Sequence, residues 1–191
     1  MSNIKLGWIN EFDTLVVNYV ATFFMLDTFC SSSKLLKTFT GHTDSVYSID
    51  YSTFDGKQLL CSASCDNTIR VWDVDTNKQV QILNEDLLAV SCVKFSQYYH
   101  YNYGRHIICS VCGEDIRFWD IKDNRQFQIF SKYEFQVCDI EFSPFNSGRY
   151  LCSGSHENTI LLLDVETSKQ LHVFNGHGAA ITTKMKVIVL V

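Results

Sequence analysis

The sequence predicts an all-β fold built from repeated four-stranded units, and three observations carry that prediction. The first is internal repetition: Trp72-Asp73, Trp119-Asp120 and Leu163-Asp164 mark corresponding points 47 and 44 residues apart, a period typical of arrays of supersecondary units. The second is punctuation, with short β-prone runs separated by turn residues. The third is composition. Phe, Tyr and Trp make up 14% of the 191 residues, which favours strands, and a single proline excludes a proline-rich linker.

Residues 1–34 lack the repeat. Trp8, Phe12, Leu15, Val16 and Tyr19 recur at helical spacing and fit a helix over 10–26, while Val16, Val17, Val20, Phe23 and Phe24 fit a strand as well. A cap on the first unit accounts for this segment, since terminal repeats need one; a docking or membrane-surface helix is the other reading. Its longest uncharged stretch, 14–26, is 13 residues, short of the roughly 20 that span a bilayer, so no membrane span is expected. Glu11 and Asp13 stand where a secretory leader places basic residues, so an intracellular protein, cytoplasmic or nuclear, is expected. Residues 35–39 read as an outermost strand.

The first unit, about 41–83, begins at Gly41-His42 and predicts strands over 46–52, 57–64, 68–73 and 79–83. Phe54-Asp55-Gly56, Asp66-Asn67 and Asp75-Thr76-Asn77 supply the turns between them. The second unit, about 84–130, carries an insertion: Val90 to Cys109 spans 19 residues where Val46 to Cys61 spans 15. The extra length falls in 97–106, expected to be a loop. Its Tyr98, Tyr99, His100, Tyr101, Tyr103 and Arg105 are candidate partner-binding residues, of types enriched at binding hot spots; tyrosines of a long hairpin packing on neighbouring strands are the alternative. The third unit, about 131–174, ends in the apolar run 160–163 before Asp164. Gly176-His177 then repeats Gly41-His42, three periods of 45 residues on, but the pattern breaks at Lys184, and 178–191 read as an altered or truncated terminus.

The Gly-His pair, the Ser-Ala-Ser-Cys-Asp turn at 62–66 and the Trp-Asp dipeptide stand in one register. On these residues the chain resembles WD-repeat proteins, which form β-propellers of four-stranded blades, and the resemblance covers about 35–177. It implies a partial propeller of about three blades, an open arc, because rings typically need four to eight. It also implies a hydrogen-bond network within the first blade from His42, Ser62 or Ser64, Asp66 and Trp72. Ser62 and Ser64 share a strand face, so spacing does not choose between them. Gly41, Asp73, Trp119, Asp120, Asp164, Gly176 and His177 complete the repeat signature. At the matching positions the second unit offers Asp86 for His42 and Gly113 or Glu114 for Asp66; the third offers Tyr133, Glu157 and, for Trp72, Leu163. A complete network is therefore expected in the first unit alone.

The resemblance further implies a non-catalytic scaffold that binds other proteins or peptides; a truncated repeat fragment with no function of its own is an alternative. Self-association through uncovered blade faces is expected with it. Sixteen basic against 21 acidic residues, a net charge of −5, argue against a nucleic-acid backbone as the main partner. Cys109 and Cys112 form a C-x-x-C pair, the signature of a redox or metal protein. Cys61, Cys109 and Cys152, however, occupy one repeat position after Leu60, Ile108 and Leu151, and read as small buried strand residues. His42, Asp66 and Ser64 have the composition of a hydrolase triad, but the family uses such a set structurally. No catalytic, cofactor or metal residue is assigned, and all eight cysteines are expected to be free thiols.

Overall fold

The structure, a computed structural model, describes residues 37–85, 88–131, 136–156 and 158–175. The expected N-terminal helix, Asp86, Tyr133, Glu157, Gly176, His177 and the segment 178–191 lie outside the described residues. Twelve strands form three four-stranded antiparallel sheets among those residues. The first sheet holds β1 (Val46–Phe54), β2 (Lys57–Ser64), β3 (Thr68–Asp73) and β4 (Lys78–Asn84). The second holds β5 (Val90–Ser96), β6 (Ile107–Cys112), β7 (Asp115–Asp120) and β8 (Arg125–Phe130). The third holds β9 (Val137–Phe142), β10 (Tyr150–Ser155), β11 (Thr159–Asp164) and β12 (Lys169–Asn175). Each sheet runs in sequence order, so each is a meander. Residues 37–39, the described part of the expected outermost strand, are not in a strand; the fourth place in the first sheet is taken by β4.

The turns follow from local chemistry. Asp55 and Gly56, both at positive φ (50° and 76°), make the two-residue turn between β1 and β2. Asn67 and Asn158, each at φ 62°, end three-residue connections that match between the first and third sheets. The second sheet has only Gly113-Glu114 at that place, with Gly113 at φ 62°. Before the fourth strand of each sheet stands a four-residue turn, closed by Asn77, Asn124 or Ser168 at positive φ. The aspartate that ends the third strand holds this turn. Asp73 accepts from the Thr76 N–H at 2.9 Å, Asp120 from those of Lys122 and Asp123, and Asp164 from those of Glu166 and Thr167.

Two bulges recur in the same places. Tyr47, Ser91 and Cys138 are extra residues in the first strands, and Val80, Phe127 and Leu171 in the fourth. Bulges raise local twist, and repeating them gives three sheets of one shape that stack. One core between the first two sheets contains Phe54, Cys61, Ala63 and Val71 against Val93, Phe95, Ile108 and Trp119. A second contains Cys109, Val111 and Phe118 against Ile140, Leu151, Leu161 and Leu163. The face bearing the repeat cysteine thus meets the face bearing the tryptophan, or Leu163 in its place, of the next sheet. The first strands also meet: the Phe95 N–H donates to Asp50 Oδ2 at 2.7 Å and the Val93 N–H to Ser48 Oγ at 3.3 Å, and Lys94 pairs with Glu141 at 2.8 Å. Among the described residues the fold is all-β apart from one short α-helix and a single 3-10 turn, a partial, open propeller.

Candidate functional site

In the first blade a hydrogen-bond chain crosses the sheet. The Trp72 Nε1–H donates to Ser62 Oγ at 2.9 Å, and His42 Nε2 lies 2.8 Å from the same oxygen. His42 Nδ1 lies 2.9 Å from Asp66 Oδ2. The partners set the tautomer: a carboxylate only accepts, so Nδ1 carries the proton and Nε2 accepts from the Ser62 hydroxyl. Asp66 further accepts from the Thr43 N–H at 2.9 Å and from Thr68 Oγ1 at 2.6 Å. Burial pushes the Asp66 carboxyl up, but these donors together outweigh it and hold it well below the usual carboxylate range. Ser64 stands apart from the chain: its hydroxyl donates to the Asp44 carbonyl at 3.3 Å and accepts from the Asp66 N–H at 3.1 Å. Gly41 is closely packed: a Cβ there would lie 2.7 Å from Arg70 Nη1, the movable end of a long side chain, and 3.0 Å from the Trp72 ring.

The second blade also anchors its tryptophan, contrary to the expectation of a single complete network. Trp119 Nε1–H lies 3.0 Å from Ser110 Oγ and 3.1 Å from Glu85 Oε1. The Ser110 hydroxyl donates to Glu85 Oε1 at 2.8 Å, and Arg117 Nη1 donates to Glu85 Oε2 at 2.7 Å. Arg117 is shared with Asp115 at 3.1 Å. The Glu85 side chain is fully buried, and burial raises its carboxyl above 4.5 against the lowering effect of Ser110, Arg117 and Trp119. The physical reason for the substitution is the shorter turn at Gly113-Glu114, which offers no aspartate at the place of Asp66. The acid instead arrives on the segment before β5, as His42 arrives before β1. A second acid beside Asp86, in a unit whose tryptophan needs an acceptor, was the available signal for Glu85.

In the third blade Leu163, 1% exposed, replaces the tryptophan and packs into the core. Its polar anchor is elsewhere: Arg149 reaches Asp164 at 2.7 Å and Glu166 at 2.8 Å. Arg105 does the equivalent with Asp120 at 2.8 Å.

The inserted segment, expected to be a loop, is in part helical. Gln97–Tyr103 is a helix, α1, closed by Gly104 at φ 61°, whose N–H donates to the His100 carbonyl. Tyr98 and Tyr99 are buried. The Tyr99 hydroxyl is 2.9 Å from Gln128 Oε1 and 3.1 Å from the Val165 carbonyl, and burial pushes it up to about 12. His100 packs on Phe54, and the Arg105 guanidinium, already paired with Asp120, lies 4.7 Å over Phe127. Only Tyr101 and Tyr103 of the six are exposed, at 70% and 54%. The segment thus divides its aromatics between core and solvent, its first two tyrosines inward and its last two outward.

The seven described cysteines are free; Cys30 lies outside the described residues. Burial pushes the Cys61 and Cys109 thiols well up, Cys92 to about 12 and Cys112 to about 11. A nucleophilic or metal-binding cysteine needs the opposite shift. Ser62, buried between an indole N–H and an imidazole, presents no open hydroxyl.

Both end faces of the stack carry apolar residues. On the first sheet Ile49 and Tyr51 are 62% and 51% exposed, on the side opposite the second sheet. On the third, Tyr150, Cys152, Leu162 and Leu171 line a cleft of about 600 Å³. No described helix is long and apolar enough to cross a membrane.

Fold and networks together define a repeat protein of stacked four-stranded blades. Residues 33–73, which include Gly41-His42 and Trp72-Asp73, match the family model described as WD domain, G-beta repeat. It is 47% identical over 38 residues to the mouse peroxisomal targeting signal 2 receptor, covering 20% of this chain and 12% of that protein. It is 32% identical over 69 residues to mitochondrial division protein 1 of Kluyveromyces lactis, covering 36% and 10%. Over a longer stretch of 149 residues it is 28% identical to the E3 ubiquitin-protein ligase COP1 of Pisum sativum, covering 78% of this chain and 21% of that protein. The matched stretches thus span about a fifth or less of the length of these relatives.

Proposed function

We propose that this chain is a non-catalytic interaction scaffold whose partners are proteins that complete its stack of blades. The observation that carries the reading is the pair of end faces that no described sheet covers. Each is a copy of a face that is buried elsewhere in the same molecule: Ile49 and Tyr51 lie on the tryptophan side of the first blade, Cys152 and Leu162 on the cysteine side of the third. The interface joining the first blade to the second can therefore be repeated at both ends by a further blade. A second copy of the chain supplies such blades as readily as another protein does, because the two end faces are complementary head to tail. At about 25 cal/mol per Å² of apolar surface, a few hundred Å² covered at each end contributes several kcal/mol, part of which is lost to association entropy. An intracellular setting, cytoplasmic or nuclear, accords with buried free thiols.

Ile49→Asp with Leu162→Asp tests this. Partners cross-linked to the wild-type chain, whether second copies or other proteins, should map to these faces and disappear with the double variant. Retention of the same partners by the variant overturns the reading.

A further inference from the structure

The insertion of the second blade brings two histidines to the β1–β2 turn of the first. Phe54, wholly buried at the end of β1, is the floor of the cluster. The His106 ring stacks on it at 4.8 Å with 12° between planes, and the His100 ring lies 4.6 Å from it. Asp55 follows Phe54 on the turn, its side chain 71% exposed and its Oδ2 3.0 Å from His106 Nε2. One ligand atom from each of Asp55, His100 and His106 lies within 4.8 Å of the other two. His100 Nδ1 is buried without a hydrogen-bond partner, which leaves its orientation unexplained by the protein's own hydrogen bonds. Beside the cluster opens a cleft of about 270 Å³ lined by Asp55, His106, Asp120 and Asp123 together with Arg105 and Lys122.

We propose that Asp55, His100 and His106 bind a divalent transition-metal ion of the zinc class, clamping the first blade to the second. Two imidazoles and one carboxylate are the donor set of such an ion; calcium and magnesium prefer oxygen alone. Metal–ligand bonds of about 2.0–2.2 Å in a tetrahedron place ligand atoms roughly 3.4 Å apart. The Asp55–His106 pair is already near that spacing at 3.0 Å, and all three ligand atoms lie within 4.8 Å of one another, so small side-chain adjustments close the rest. The stacked Phe54 holds both rings, and the Gln97 amide, donating to Ser52 Oγ at 2.7 Å, ties the start of α1 to β1. A histidine–aspartate hydrogen bond alone accounts for His106 but not for His100.

The test is zinc binding to the full, untagged, reduced chain, by competition with a chelating dye. One zinc per chain is expected, with His106→Ala and His100→Ala weakening it about 100-fold or more, since even outer-shell changes cost 10–100-fold. Asp55→Asn, on an exposed turn, keeps the fold and should weaken binding as well. Cobalt substitution separates this site from the cysteines: imidazole and carboxylate give visible bands without intense thiolate charge transfer. Zinc should raise the melting temperature of the wild type and not of Asp55→Asn. Equal affinity in wild type and all three variants, a thiolate spectrum, or no zinc bound at micromolar concentration overturns the proposal.

Discussion

The first and second blades solve one problem with different chemistry. Each must give a buried indole N–H an acceptor. The first uses a relay, Trp72 to Ser62 to His42 to Asp66, in which the charge sits at the far end among several donors. The second uses the charge directly, placing Glu85 within reach of Ser110, Trp119 and Arg117. A relay spreads the penalty of burial over neutral groups, whereas a buried carboxylate depends on its cationic partner. The carboxyls respond oppositely: that of Asp66 is held down and that of Glu85 is pushed up.

The largest expected effect comes from breaking the direct solution. Glu85→Ala removes the acceptor of Arg117 and Ser110 at once and should destabilise the chain by about 3 kcal/mol, as loss of one partner of a buried pair does. Urea denaturation measures it, and a neutral result would place the anchor of the second blade elsewhere. Asp66→Ala should cost about 2 kcal/mol by leaving the His42, Thr43 and Thr68 donors without their acceptor. The two serines sharpen the contrast. Ser62→Ala strips Trp72 of its acceptor and should cost about 1.5 kcal/mol, but Ser110→Ala leaves Trp119 with Glu85 and should cost about half of that. Equal losses in the serine pair would show that the 3.1 Å contact of Trp119 to Glu85 contributes nothing.

The smallest effect is on pH dependence, where the two acids carry opposite signs. Asp66 is depressed in the fold, so its contribution is fully present above its ordinary value of 3.8 and is lost as pH falls below it towards the folded value. Glu85 is raised, so as pH falls from its folded value towards 4.5 the folded state takes up the proton first and gains stability. Melting temperatures of Glu85→Gln should lack the gain on the way down to about pH 4.5, and those of Asp66→Asn should lack part of the loss below about pH 4. Matching acid profiles for the two variants would contradict this difference.

Much of the fold was legible because its signals are local. The residues 57–64 and 68–73 read as strands are the observed β2 and β3, since Asp55-Gly56 and Asn67 mark backbone positions that few residues tolerate. The repeat cysteines read as buried because position within a repeat fixes the face. Three features escaped a linear reading. Glu85 lies one residue from Asp86, the position that register assigned to the network, and only the folded chain shows which of the two acids reaches Trp119. The helix at 97–103 contains four tyrosines and no strong helix former beyond Gln97; packing of Tyr98 and Tyr99 between blades, with Gly104 ending it, overrides weak propensity. His100 and His106 stand 45 and 51 residues beyond Asp55, and no motif links the three.

By itself, then, the sequence determined the period, the turns, the four-strand unit and which residue types each face carries, because each depends on neighbours a few residues away or on the repeat's own register. The tertiary structure decided which acid anchors the second tryptophan, which of Ser62 and Ser64 joins the relay, and which side chains of the insertion are buried. Those outcomes depend on distances between groups remote in the chain. Such distances are set only when one blade packs against the next, and a shift of a single residue exchanges one face of a strand for the other.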